Sequence, residues 1–362
     1  MIKYIGSKRL LVPLILETVR RVGPARSVLD LFSGTSRVGH ALKAGGYRVF
    51  SNDHNAYAAT IARCYVQADA ADVADAAERL VREFNVLSPS PGYFTETFCI
   101  RSRFFHPKNG ERIDAVREAI AKRGLDPELE AVMLVSLMEA ADRVDSTTGL
   151  QMAYLKEWAA RAHNNLELRV PELLPRARNG KGRATCLDAA DAARLTEADV
   201  AYIDPPYNQH SYLGNYHVWE SLVRWDKPEV YGIACKRVDC RERKSVFNSK
   251  PQFAEAIRAL LASVRAQVLV VSFNNEGYLS RPEMEAMLGG LWGGQAKITT
   301  LESDFKRYVG AQIGIHNLKG EKVGTVSHLR NKEYVYVVSR EDLSDRLAPL
   351  QVVPERQMAL FA

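Results

Sequence analysis

The sequence predicts an α/β protein built on a doubly wound, mostly parallel sheet, and three observations carry that expectation. Seven short runs are rich in Val, Ile, Leu and Tyr without strict alternation, the pattern of strands covered on both faces. Helical patterns fall between them, as at 10–21, 38–44 and 252–265, where crossovers between parallel strands call for helices. A long stretch dominated by helical patterns then interrupts the succession of strands.

In chain order the expected strands are 27–32, 47–51, 184–187, 200–203, 267–273, 297–301 and 334–339. The interruption, 71–182, reads as an inserted, mainly helical domain. Its clearest helix opens at Asp126-Pro127-Glu128, and Leu129, Val132, Met133, Leu134, Leu137 and Met138 recur on one face of it. The run Arg176-Ala177-Arg178-Asn179-Gly180-Lys181-Gly182 reads as an exposed linker back to the sheet. The expected division is a discontinuous domain of 1–70 and 183–345, the insert 71–182, and a C-terminal tail 346–362.

Composition narrows the class. With 46% hydrophobic and 25% charged residues the chain is neither disordered nor collagen-like. Five cysteines without paired spacing indicate neither a disulfide framework nor a zinc site, and His210, His217, His316 and His328 lack metal-ligand spacing. No apolar run reaches the roughly 18 residues of a membrane span, so a bacterial or phage-encoded protein of the cytoplasm, without membrane contact, is expected. The net charge is +6, but 99–123 carries seven basic against three acidic residues, 232–250 six against two, and 305–332 six against one. Any one window reads equally as a solvated face. Three of them around an otherwise acidic body favour an extended polyanion contacted at several points.

Two motifs carry chemistry. In 27–39 an apolar strand runs into the small-residue turn Ser33-Gly34-Thr35-Ser36 and then a helix, which brings backbone close to a ligand at the carboxyl edge of the sheet. The next strand ends in Ser51-Asn52-Asp53, where a carboxylate can accept ribose hydroxyls, so a nucleoside-containing cofactor is implied. A glycine turn alone is equally a tight structural turn. The second motif is Asp204-Pro205-Pro206-Tyr207 at the end of an apolar strand. An exocyclic amine donates two N–H bonds; Asp204 and the Pro205 carbonyl can accept both while Tyr207 stacks on the heterocycle, an arrangement that recognises a flipped base. The plainer alternative is a Pro-Pro turn with Asp204 as a helix cap.

With Tyr4-Ile5-Gly6-Ser7-Lys8 first, Asp30-Leu31-Phe32-Ser33-Gly34 second and Asp204-Pro205-Pro206-Tyr207 third, the chain resembles the Dam-like DNA N6-adenine methyltransferases. Further similarity lies in 105–117, 149–156, 211–225 and 272–277. The resemblance implies a seven-stranded Rossmann-like methyltransferase sheet with an inserted helical target-recognition domain. It implies S-adenosylmethionine as cofactor, S-adenosylhomocysteine as product, and no metal. Tyr4, Gly6 and Lys8 would lie near the methionine part of the cofactor, with Asp30, Phe32, Gly34, Asp53, Asp188 and Asp204 completing its site. Asp204, Pro205, Pro206 and Tyr207 would be catalytic. Where the family often has a second glycine, this chain has Ser36.

The implied activity is site-specific methylation of adenine N6 in double-stranded DNA, in a restriction-modification or phage setting with a cognate endonuclease as partner. Methylation of cytosine N4 in DNA or of a ribosomal RNA base, and a silent DNA-binding regulator, stand as alternatives. DNA-contact candidates are Arg101, Arg103, Lys108 and Arg112 in the insert, Lys236, Arg237, Arg241, Arg243 and Lys244 after the tetrapeptide, and Lys306, Arg307 and Lys332 near the end.

Overall fold

A computed structural model describes residues 1–306 and 330–350; Arg307, His316, His328 and the end of the tail lie outside the described residues. All seven expected strands form one sheet: β1 (Ser27–Asp30), β2 (Arg48–Asn52), β3 (Arg183–Thr185), β4 (Glu197–Ile203), β5 (Arg265–Asn274), β6 (Lys297–Lys306) and β7 (Arg330–Ser339). Their order across the sheet is β3-β2-β1-β4-β5-β7-β6. The first five pair in parallel, and β7 runs antiparallel to both β5 and β6.

Period-two alternation explains why these runs are apolar throughout. Val28, Val200, Val270 and Val337 join Leu14, Ile15 and Val19 of α1 (Val12–Arg21) and Leu42 of α2 (Arg37–Ala44) in one buried cluster. Leu29, Ala201, Leu269, Val271 and Tyr336 point the other way. They pack with Ala192 and Ala193 of α7 (Ala189–Leu195) and with Phe253, Ile257 and Leu260 of α9 (Lys250–Ser263). Parallel register between β1 and β4 sets Leu29 beside Ala201, so Asp30 and the tetrapeptide end at the same edge.

Between β2 and β3 run α3 (Ala56–Ala62), α4 (Ala70–Asn85), α5 (Pro107–Arg123) and α6 (Pro127–Arg143). Asp126 caps α6, accepting from the Glu128 N–H at 2.9 Å. Almost every residue from Ala131 to Ala141 is buried, so α6 is a central helix and not a one-faced surface helix. It packs in a third core with Phe84, Phe98, Phe104 and Ile113. That core also takes in Ile2, Tyr57 and Ile61, and Val218, Trp219 and Leu222 of α8 (His217–Arg224), from outside 71–182. The expected linker 176–182 is tied down: Arg176 pairs with Asp69 at 2.7 Å, Lys181 with Glu128 at 2.9 Å, and Asn179 donates to the Gly46 carbonyl. Charges placed on neighbouring helices turn a glycine-bearing stretch into a strap. No helix among the described residues is long and apolar enough to cross a membrane.

Candidate active site

The turn after β1 is shaped by a carboxylate. Asp53, just past β2, accepts the Gly34 N–H at 3.0 Å through one oxygen and the Asn55 N–H at 2.9 Å through the other. Burial raises its carboxyl above the usual range, while those N–H donors oppose the rise. Gly34 takes φ +50, and a Cβ there would meet the Tyr4 ring at 3.4 Å. Ser36 stands in the left-handed region, at φ 56 and ψ 24, immediately before α2. The conformation a glycine would adopt cheaply is therefore imposed on serine, and its buried hydroxyl has no hydrogen-bond partner among the described residues. Asp30 is buried, and burial followed by the charges of Asp204 and Asp53 pushes its carboxyl up to about 8.

Aromatic rings build the adjoining wall. Tyr4 stacks on Tyr216 at 4.5 Å and on Tyr212 at 5.3 Å, and its hydroxyl meets that of Tyr57 at 3.0 Å. Gly6, at φ +71, leaves room for the Tyr212 hydroxyl, which would lie 2.9 Å from an added Cβ. Phe32 meets Phe247 edge-on at 5.3 Å.

At the end of β4, Lys8 Nζ lies 3.2 Å from Asp204 Oδ1 and 3.2 Å from Glu333 Oε2. Burial pushes the Asp204 carboxyl up to about 6 against the pull of Lys8, and Glu333 adds to the rise. Burial opposes the Lys8 charge, yet the two carboxylates hold its ammonium well above the usual range. The Tyr207 hydroxyl accepts from Asn274 Nδ2 at 2.8 Å, and its ring sets an edge against Phe273 at 5.4 Å. Its position is fixed from both ends.

One cleft, open to solvent, joins these parts. Tyr4, Gly6, Lys8, Asp30, Phe32, Gly34, Asp53, Asp188 and Asp204 all line it, with Pro206. Pro205 is buried, and Tyr207 is half-buried beside it in sequence. Asp188 caps α7 through the Ala190 N–H at 2.8 Å. Among the described residues no three His, Cys, Asp or Glu side chains gather as a metal site.

The basic candidates separate by environment. Arg237 is buried: both terminal nitrogens lie 2.7 Å from the Asp226 oxygens, Nε lies 3.0 Å from Asp239, and further contacts run to Asp239 at 3.1 Å and the Ser221 hydroxyl at 3.4 Å, so its five N–H donors face protein acceptors. Arg112 is half-buried, and its guanidinium donates to the carbonyls of Phe84, Asn85 and Leu87 at the C-terminal end of α4. Lys108 donates to the His163 carbonyl and Asn165, and Arg103 lies 4.5 Å over the Trp158 ring and donates to the Lys156 carbonyl, with both heads exposed. Arg101 is exposed, and Arg241 sits 3.9 Å over the Tyr231 ring. Arg243 and Lys244 line the cleft, Arg243 pairing with the fully buried Glu220 at 2.9 Å. Lys236 is half-buried, Lys332 pairs with Glu302, and Lys306 ends β6. His217 is buried with Nε2 2.8 Å from the Gln151 carbonyl; burial pushes its pKa down to about 3, so it is a neutral packing residue.

Sequence reasoning missed Glu333, Asn274, Phe247 and Glu220. Glu220 and Asn274 fall within the segments of further similarity, 211–225 and 272–277, and the signal for Glu333 is an acid set directly before an apolar strand run.

A mostly parallel α/β sheet with a glycine turn clamped by a carboxylate at one strand end, and Asp-Pro-Pro-Tyr at the next, defines the amino-methyltransferase class. Residues 4–275 match the D12 class N6 adenine-specific DNA methyltransferases, and the chain belongs to that family. It is 30% identical over 303 residues to the modification methylase StsI of Streptococcus sanguinis, covering 79% of this chain and 46% of the relative. It is 27% identical over 344 residues to the type II methyltransferase M.NlaIII of Neisseria lactamica, covering 91% and 99%. With M.FokI of Planomicrobium okeanokoites the identity is 30% over 311 residues, 79% and 46% covered. The chain thus spans about half the length of StsI and M.FokI and nearly all of M.NlaIII.

Proposed function

We propose that this chain methylates the exocyclic N6 amine of an adenine turned out of double-stranded DNA, with S-adenosylmethionine as donor, as the modification activity of a restriction-modification system. One observation carries the reading: Asp204 opens into the same cleft as the Asp30–Gly34 turn and Asp53. The cleft suits the donor. Ser7 Oγ, Ser33 Oγ and Asn55 Oδ1 belong to residues that line it and are buried polar atoms without hydrogen-bond partners among the described residues.

When bound, S-adenosylmethionine supplies an electrophilic methyl group. The side chains do the rest. Asp204 and the Pro205 carbonyl accept the two N–H bonds of the amine, holding its lone pair out of conjugation with the purine. The prolines offer no competing N–H donor. Tyr207, held by Asn274, gives the base a fixed stacking surface. Asp204 acts as acceptor first; the nitrogen becomes acidic once methylated and then gives its extra proton to the Asp204 carboxylate, which passes it to solvent.

In this reading 1–70 and 183–345 carry catalysis and 71–182 selects the target sequence. Arg101, Arg103 and Lys108 of the insert, with Lys236, Arg241 and Lys244, supply the DNA-facing charge, and a cognate endonuclease is the partner. The test is incubation of the protein and S-adenosylmethionine with unmodified duplex DNA, followed by base-resolved detection of the methyl group. N6-methyladenine at one sequence word is expected; methyl on cytosine N4, or none, overturns the proposal.

A further inference from the structure

Glu333 reaches the site from the strand that runs against its neighbours. In the antiparallel ladder of β5 and β7 it stands directly opposite Asn274, so the two side chains share a face. Both are buried. Glu333 Oε2 is 3.2 Å from Lys8 Nζ, and Lys8 Nζ is 3.2 Å from Asp204 Oδ1, so one ammonium is divided between two carboxylates. Asn274 Nδ2 lies 2.8 Å from the Tyr207 hydroxyl and 3.5 Å from Glu333 Oε1.

We propose that Glu333 is a positioning residue for methyl transfer, drawing Lys8 off Asp204 so that the Asp204 carboxylate stays open to the target amine. The inference rests on the reading of Asp204 as acceptor given above. A lysine ammonium has three donors on a rotatable head. Facing Asp204 alone in a buried site, it would close into a two-body pair and occupy the lone pairs the amine requires. A second carboxylate of equal reach halves that claim. The other groups facing Asp204 are Asp30 from β1, Tyr202 within β4, and Tyr207 and Tyr212 after it. None of these carries positive charge, so Lys8 is the group whose placement decides how strongly Asp204 is held.

Removing either member of the pair should move Asp204 in opposite directions. Loss of the Glu333 charge leaves Lys8 wholly to Asp204 and favours the carboxylate. Loss of the Lys8 charge leaves two buried carboxylates facing each other and favours the acid. The experiment measures kcat against pH for wild type, Glu333→Gln, Glu333→Asp and Lys8→Met at saturating S-adenosylmethionine and duplex DNA. The Asp204 carboxyl is also titrated by infrared difference spectroscopy in the protein alone, with Asp204→Asn as the subtraction control.

In Glu333→Gln the Asp204 titration and the acid limb of kcat should both fall by roughly half a unit to one unit. Its kcat on the alkaline side should drop about tenfold at unchanged KM for DNA, as expected for a misplaced acceptor. Lys8→Met should shift the titration upward, and Glu333→Asp should return it toward wild type. An unmoved titration in Glu333→Gln, or a shift of the same sign in Glu333→Gln and Lys8→Met, overturns the inference even where DNA is methylated. The predicted titration shifts in a protein that methylates no DNA support the charge arrangement and count against the functional reading alone.

Discussion

Arg237→Met separates a buried ion pair from a DNA contact. The Arg237 side chain is 2% exposed and lies within 2.7 Å of Asp226 and 3.0 Å of Asp239. Removing one member of such a pair costs about 3–5 kcal/mol, because charges are left without a partner. Here the stranded carboxylates keep 33% and 22% of their exposure, and Arg224 and Arg243 remain within 3.5 Å of them. The lower end, about 3 kcal/mol, is therefore expected. At about 1.3 °C per kcal/mol for a chain of 362 residues, Tm should fall by about 4 °C in scanning calorimetry. DNA affinity should keep its salt dependence, since no phosphate contact is lost. Lys236→Met gives the contrast: Tm within about 1 °C of wild type, and a slope of log affinity against log salt reduced by about 0.9 if it holds one phosphate. An Arg237→Met protein with unchanged Tm and a slope reduced by that amount would refute the reasoning and return Arg237 to the DNA surface.

Asp204→Ala should lower methyl transfer by about 10²–10³ while calorimetric binding of S-adenosylmethionine is largely retained; more than a few per cent residual activity contradicts the acceptor role. Asp53→Ala removes the acceptor that clamps the Gly34 turn and should weaken S-adenosylmethionine binding by about 1–3 kcal/mol. Wild-type affinity in that variant would detach Asp53 from the cofactor site. Ser36→Gly relieves a left-handed serine and deletes a buried unpaired hydroxyl, against the greater freedom glycine gives the unfolded chain. A net gain of about 0.5–1 kcal/mol in urea unfolding is expected, and a loss would show that the serine hydroxyl has a partner in solution.

The seven strands are legible because a parallel sheet covered on both faces demands unbroken apolar runs, and the chain supplies seven of them. Their ends are not. β4 begins at Glu197 and β5 at Arg265, residues that pair in register and join as an exposed ion pair, a strand end stabilised without any apolar signal. The reversed direction of β7 leaves no mark in its composition. The same limit governs the site. Asp30, Gly34, Asp53 and Asp204 lie within short motifs at the ends of runs, where one local pattern predicts both element and chemistry. Glu333 and Asn274 are ordinary polar residues until the β5–β7 pairing sets them side by side. Arg237 misleads for the opposite reason, since a charge-rich window does not disclose that Asp226 and Asp239 fold inward with the arginine.

The bracket around Lys8 also fixes when in the life of the chain the site is finished. Lys8 and Glu333 are separated by 325 positions. At ribosomal rates of about 5–20 residues per second, Lys8 is made roughly fifteen seconds to a minute before its second partner. Over the last part of that interval, after Tyr207 is made, the nascent chain already carries the cofactor turn and the tetrapeptide. It lacks the antiparallel strand that completes the charge balance at Asp204. Activity should therefore emerge with the docking of β7 and not with the appearance of the motifs, and a nascent chain stalled after Asp204 should remain inert toward DNA.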